Sequence, residues 1–204
     1  MNHNTPHDHN REHLPEGERH ADVTTMLGFW VYLMTDFVLF ASLFAVFIVL
    51  RGNVFGGATG AELFSMPAVL AETLILLVSS LTCGFFLLAA RAGHARTVLL
   101  WMYVTALLGA AFVLVEVAEF RGLIAEGNGP SKSAFLSAFF ALVGTHGLHV
   151  TAGLLWITGL ALSILRRGLT HANMRKLMLL GMFWHFLDII WIFIFTIVYL
   201  IGTV

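Results

Sequence analysis

Five apolar stretches, each long enough to cross a lipid bilayer, leave this chain few folds to choose from. A helix needs about 20 predominantly apolar residues to cross a hydrocarbon core of roughly 30 Å. Residues 25–50, 67–90, 97–120, 134–165 and 177–200 all meet that length. Backbone groups in lipid must bond to one another, which restricts spanning segments to helices and closed barrels. Continuous apolar runs of this length specify helices. The expected fold class is therefore all-α, an integral membrane bundle of five transmembrane helices at 25–204, preceded by a polar tail at 1–24. The fourth stretch, about 48 Å long at 1.5 Å per residue, must tilt or project from the bilayer. Only 11% of the 204 residues are charged, against about 25% in soluble domains, so a water-soluble globule is excluded.

The connections punctuate the bundle. Gly52, Gly56, Gly57 and Gly60 separate the first two stretches, and Pro67 opens the second where a missing N–H costs nothing. Residues 91–96 form a tight hairpin. Gly127, Gly129 and Pro130 close the third connection, with Ser131 or Ser133 as the expected N-cap of the fourth helix. The 11 cations all fall outside the apolar stretches. The tail, the hairpin and the fourth connection carry Arg11, Arg19, Arg91, Arg96, Arg166, Arg167, Arg175 and Lys176, whereas Arg51, Arg121 and Lys132 lie on the other side. By the positive-inside rule the N-terminus is cytoplasmic and the C-terminus outside.

Several classes drop out. The tail is acidic and has no apolar core before a cleavage site, so it does not read as a signal peptide. Its five histidines (His3, His7, His9, His13 and His20) fit a solvated segment or a loose metal binder. A net charge of −1 gives no basic footprint for nucleic acid. One cysteine, Cys83, forms neither an internal disulfide nor a Cys-x-x-Cys site. No nucleophile triad, phosphate loop or dinucleotide fingerprint is present, so no catalytic residue is expected in this chain. Matching interrupted helices, the mark of inverted-repeat transporters, are also missing, which weakens a transport reading without removing it.

The informative residues are those that lipid disfavours: Asp36, Glu72, Glu116, Glu119, His146, His149, His185 and Asp188. An aspartate at mid-bilayer costs roughly 2.5–3.5 kcal/mol on insertion scales, and such residues normally face the bundle interior and pair. Counting along the helices puts Asp36, His146, His149, His185 and Asp188 in a mid-depth layer from helices one, four and five. Glu72, Glu116 and Glu119 form a second layer, nearer the outer face. Glu116 with Glu119, His146 with His149, and His185 with Asp188 are each spaced i, i+3, hence neighbours on one face. Asp188 is expected to accept from His185 and from the indole of Trp184 or Trp191. Three readings stay open: a structural hydrogen-bond cluster, a proton relay, or a metal site. Di-iron bundles need Glu-x-x-His, and none occurs in the stretches. A b-type haem could use His146 or His149 with His185, but Gly144, Gly147, Thr151 and Gly153 on the same helix predict a close helix contact instead.

Two of these segments carry a resemblance. The run Gly144-Thr145-His146-Gly147-Leu148-His149, followed by Phe183-Trp184-His185-Phe186-Leu187-Asp188-Ile189-Ile190-Trp191, resembles the signature of subunit III of haem-copper terminal oxidases. Phe29-Trp30 through Thr35-Asp36-Phe37 is similar to that family's Ser/Thr-acid motif, with Asp36 where Glu is frequent. Glu119-Phe120 resembles its acid-aromatic pair. The His-rich tail, Gly129-Pro130, Phe135 to Phe140, and Arg166-Arg167-Gly168-Leu169-Thr170 are together most similar to the bo-type ubiquinol oxidase branch.

The resemblance implies an accessory subunit of a proton-pumping quinol:oxygen oxidoreductase in the bacterial plasma membrane. It implies haems and copper in subunit I, subunits II and IV as further partners, and no redox centre in this chain. Membrane lipid, including bound phospholipid, is the remaining ligand. Longer members have two further N-terminal helices around a lipid cleft, so any cleft here would be completed by lipid or a partner. Asp36, His146, His149, His185 and Asp188 inherit structural or proton-buffering roles. The alternatives are subunit III of a menaquinol or cytochrome c oxidase, a small membrane b-type cytochrome, or a proton carrier.

Overall fold

A computed structural model describes residues 16–53 and 66–201. These form α1 (Glu16–Leu50), α2 (Met66–Arg91), α3 (Ala95–Ala125), α4 (Ala134–Arg167) and α5 (His171–Ile194), the last continuing as one widened turn over Phe195–Leu200. No strand occurs among the described residues, and all five helices are long and apolar enough to cross a membrane. Residues 1–15 of the expected tail, and Gly56, Gly57 and Gly60, lie outside the described residues.

The helices outrun the apolar stretches that specify them. α5 begins at His171 rather than 177, because Thr170 caps it: its hydroxyl accepts from Asn173 N at 3.3 Å. Arg175 and Lys176 thus ride on the first turns of a helix rather than in a loop. Arg91 closes α2, and Arg166 and Arg167 close α4, where positive charge complements the unpaired C-terminal carbonyls. Helix is favoured beyond the lipid as well as in it, so apolar length marks the slab and not the helix end.

The turns are built from particular side chains. Between α4 and α5, Gly168 has φ +71°, a conformation that side chains rarely adopt. Buried Asn173 bolts this turn from below, donating to the Gly168 carbonyl at 2.8 Å and accepting from Ser163 Oγ at 3.0 Å. Ser133, not Ser131, caps α4, accepting from Leu136 N at 3.2 Å. Ser137 donates to the Pro130 carbonyl and closes the same corner.

The wall of the bundle runs α1, α4, α3, α2, with α5 packed against α1, α2 and α4. α5 is the core helix: 61% of its most apolar window is buried, against 22–39% for the others. Trp184 at its centre lies between Gly109 of α3 and Gly153 of α4. A Cβ at Gly109 would come within 2.8 Å of the indole, and one at Gly153 within 2.9 Å. Lipid tails are as apolar as Leu, so close backbone approach through small residues holds such bundles together. Of the small residues expected to mark the contact of α4, only Gly153 makes a steric fit of this kind. A Cβ at Gly144 would meet Phe120 at an ordinary 3.6 Å, Gly147 borders open space, and Thr151 is exposed.

Candidate functional site

The eight polar residues singled out above fall into four settings. Asp36 of α1 is 7% exposed, with its Oδ2 3.7 Å from His149 Nε2 of α4. The other imidazole nitrogen, Nδ1, lies 2.8 Å from the Thr145 carbonyl. A carbonyl only accepts, so Nδ1 carries the hydrogen and Nε2 is the atom turned to Asp36. Oδ2 has no hydrogen-bond partner at bonding distance. A proton or a water between the two atoms would convert facing acceptors into a bonded pair. Tyr32, one turn earlier on α1, interacts with the same carboxyl group.

His146 faces away from that pair. It is wholly buried, and neither ring nitrogen has a hydrogen-bond partner. Three aromatic rings enclose it: Trp191 at 5.3 Å, Phe112 at 5.8 Å and Phe40 at 6.4 Å between centroids. Phe40 also touches His149, at 5.2 Å, so the i, i+3 histidines share one phenyl ring and diverge beyond it.

His185 and Asp188 form a third setting with a residue absent from the sequence-level set. Ser80 Oγ of α2 is 2.8 Å from His185 Nδ1, while Asp188 Oδ2 stands 3.9 Å from the same nitrogen. The tryptophans do not serve Asp188 as expected. Trp184 Nε1 donates to Ser79 Oγ at 3.1 Å, and Trp191 Nε1 donates to Thr73 Oγ1 at 3.1 Å. Both indoles therefore tie α5 to α2. The physical reason is direction: α2 runs beside α5, and its hydroxyls at 73 and 79 match donors seven residues apart on α5.

The fourth setting brings Glu72 of α2 within electrostatic range of Glu116 and Glu119 of α3, with Tyr199 of α5 beside all three. Glu72 and Glu116 are 1% and 3% exposed. Neither carboxyl group has a hydrogen-bond partner, nor does Glu119 Oε2.

His146 is ringed by aromatic side chains, and His185 is engaged by α2. Among the described residues, no three His, Cys, Asp or Glu side chains gather in an arrangement that could hold a metal ion. Ser79, Ser80 and Thr73 were not legible in the sequence, because a serine or threonine in an apolar helix carries no signal of its own. Placing the indoles of Trp184 and Trp191 against neighbouring helices would have found two of them.

The chain matches known proteins over nearly its whole length. The profile of the family described as "Cytochrome c oxidase subunit III" matches residues 7–203. The chain is 54% identical over 200 residues to "Cytochrome bo(3) ubiquinol oxidase subunit 3" of Pseudomonas aeruginosa (98% of this chain, 93% of the relative). It is 53% identical over 178 residues to the protein of the same name from Pseudomonas putida (87% and 86%). To "Quinol oxidase subunit 3" of Bacillus subtilis it is 44% identical over 199 residues (94% and 98%). A five-helix membrane bundle with buried polar groups, matched over nearly its whole length, belongs to the cytochrome c oxidase subunit III family.

Proposed function

We propose that the chain is the accessory, cofactor-free third subunit of a proton-pumping bo-type ubiquinol oxidase, which passes electrons from ubiquinol to O2. The haems and copper reside in subunit I, with subunits II and IV completing the complex. The observation that carries this reading is the extended identity to two bo-type third subunits. The eight cations of the tail, hairpin and fourth connection, against three on the other side, support a cytoplasmic N-terminus in the plasma membrane.

The polar side chains suit support rather than catalysis. Ser79, Thr73 and Ser80 are spent on holding α2 to α5. The Asp36 and His149 pair joins α1 to α4 and can take up a proton between its facing atoms, a form suited to buffering protons beside a proton-uptake route. The carboxyl groups of Glu72, Glu116 and Glu119 offer further positions of that kind. The test is to delete the gene and complement it, then follow oxygen consumption driven by ubiquinol, menaquinol and reduced cytochrome c. Restoration confined to the ubiquinol-driven rate is expected. Restoration of the cytochrome c rate alone would reassign the donor.

A further inference from the structure

α2 and α5 together present one outward face, and His185 stands in it. Its side chain is 43% exposed. It lies eight residues into the apolar stretch 177–200, about 12 Å along the axis at 1.5 Å per residue and so close to the middle of a hydrocarbon core of roughly 30 Å. The side chains around it on both helices are apolar and exposed: Leu77 and Leu81 on α2, Met178 and Ile189 on α5. An imidazole at mid-membrane depth is therefore turned outward among leucine, methionine and isoleucine.

Other polar side chains on the outside of the bundle avoid this problem. Thr35, Ser42, Thr145, Thr151, Thr158 and Thr196 each donate to a carbonyl three or four residues earlier in their own helix, and can face acyl chains without an unmet hydrogen bond. His185 has two nitrogens and only one is provided for. Nδ1 is held by Ser80, while no bond from Nε2 is made by the described residues. Whichever way the proton lies in the Ser80 contact, Nε2 remains a full-strength donor or acceptor. Lipid supplies hydrogen-bonding atoms only at its headgroups, roughly 15 Å from the midplane, and leaving such a group unmet in hydrocarbon is costly. By contrast, the groove between α1 and α5, lined by Phe44, Ala45 and Phe193 among others, is apolar throughout and is suited by acyl chains alone.

We propose that the α2 and α5 face is covered by a transmembrane helix of the haem-bearing subunit, which brings a hydrogen-bonding side chain to His185 Nε2 at mid-membrane. This rests on the reading of the chain as an oxidase subunit and adds which face meets the partner. Asp188, 8% exposed and lacking a hydrogen bond at Oδ2, stands behind the imidazole and makes this the most polar spot on that face.

The experiment uses the whole complex in its membranes. A benzophenone amino acid replaces Leu81, Ile189 or, as a control on α4, Leu155. Light should link positions 81 and 189 to the haem-bearing subunit and leave 155 unlinked to it. In a parallel preparation, His185→Leu should lower the haem recovered with the tagged chain by roughly three- to twentyfold, the worth of one intramembrane hydrogen bond. His185→Gln should restore much of it. Lipid adducts alone from 81 and 189, or unchanged haem recovery with His185→Leu, would overturn the proposal while the unaltered chain still co-purifies with haem. Failure of the unaltered chain to co-purify would instead remove the subunit reading beneath it.

Discussion

Trp184 donates its indole N–H to Ser79 Oγ at 3.1 Å, and that one bond fixes where the ring lies between Gly109 and Gly153. Ser79 in turn donates to the Thr105 carbonyl at 3.4 Å, and Thr105 Oγ1 lies 2.8 Å from Thr82 Oγ1. One side chain of α5 is thus held from α2, α3 and α4 at once. Since polar glue and close backbone approach are what bind helices in lipid, this is the keystone of the bundle.

Gly109→Ala and Gly153→Ala should each destabilise the subunit by about 1–3 kcal/mol, the usual effect of overpacking a well-filled core. The ring cannot yield without giving up Ser79. Gly84→Ala and Gly147→Ala enter open space and should be neutral or stabilising by about 0.5–1 kcal/mol, because alanine is the better helix former. Denaturation midpoints in detergent separate the two sets.

Trp191 and Thr73 give a cleaner test of the same idea. Thr73 donates to the Val69 carbonyl at 2.9 Å and accepts from Trp191 Nε1 at 3.1 Å. Trp191→Phe and Thr73→Val should each destabilise, and the double variant should lose less than the two together. The expected coupling is about 0.5–2 kcal/mol. Full additivity in a double-mutant cycle would mean that the contact contributes nothing.

The turn between α4 and α5 depends on Asn173, which donates to Gly168, accepts from Ser163 and places its own N–H on Thr170. Asn173→Ala should remove the two side-chain hydrogen bonds that join Gly168 and Ser163 through it and lower stability by about 1–3 kcal/mol. Hydrogen exchange should then rise at residues 168–173 and not at the distant hairpin 91–96.

The bundle was largely legible in the sequence because lipid imposes a length and a hydropathy that Leu, Val and Phe report directly. Ser133 was legible as a candidate cap for the same local reason that makes it work, whereas the positive φ of Gly168 was not legible in the sequence. Helix ends were not legible either: His171, Asn173, Arg175 and Lys176 make the first turns of α5 largely polar, and helicity outside the slab leaves no apolar trace. Of the polar sites, the spacing of His185 and Asp188 put them on one face, but it could not show that Ser80 reaches the imidazole from another helix. Nor could it show that Trp184 and Trp191 turn their N–H groups away from Asp188. Partners on different helices are fixed by packing, which no single helix encodes.

For the facing pair Asp36 and His149, Asp36→Asn in the assembled oxidase should leave haem content unchanged. It should slow turnover by a factor of about two to five, well short of the 10²–10⁴ expected from losing a catalytic acid or base. Difference infrared spectroscopy should lose a carboxyl signal in the same variant. An oxidase abolished with its haem intact would instead place Asp36 in the chemistry.

On the proposed function, this chain holds no redox centre and works by attachment to a subunit that does. The most direct measurement is the visible spectrum of the tagged chain, taken first as isolated from its own membranes and again after detergent dissociation and separation from its partners. A Soret band should accompany the intact complex and stay with the large subunit, leaving this chain colourless. A Soret band that travels with the isolated chain would contradict the account.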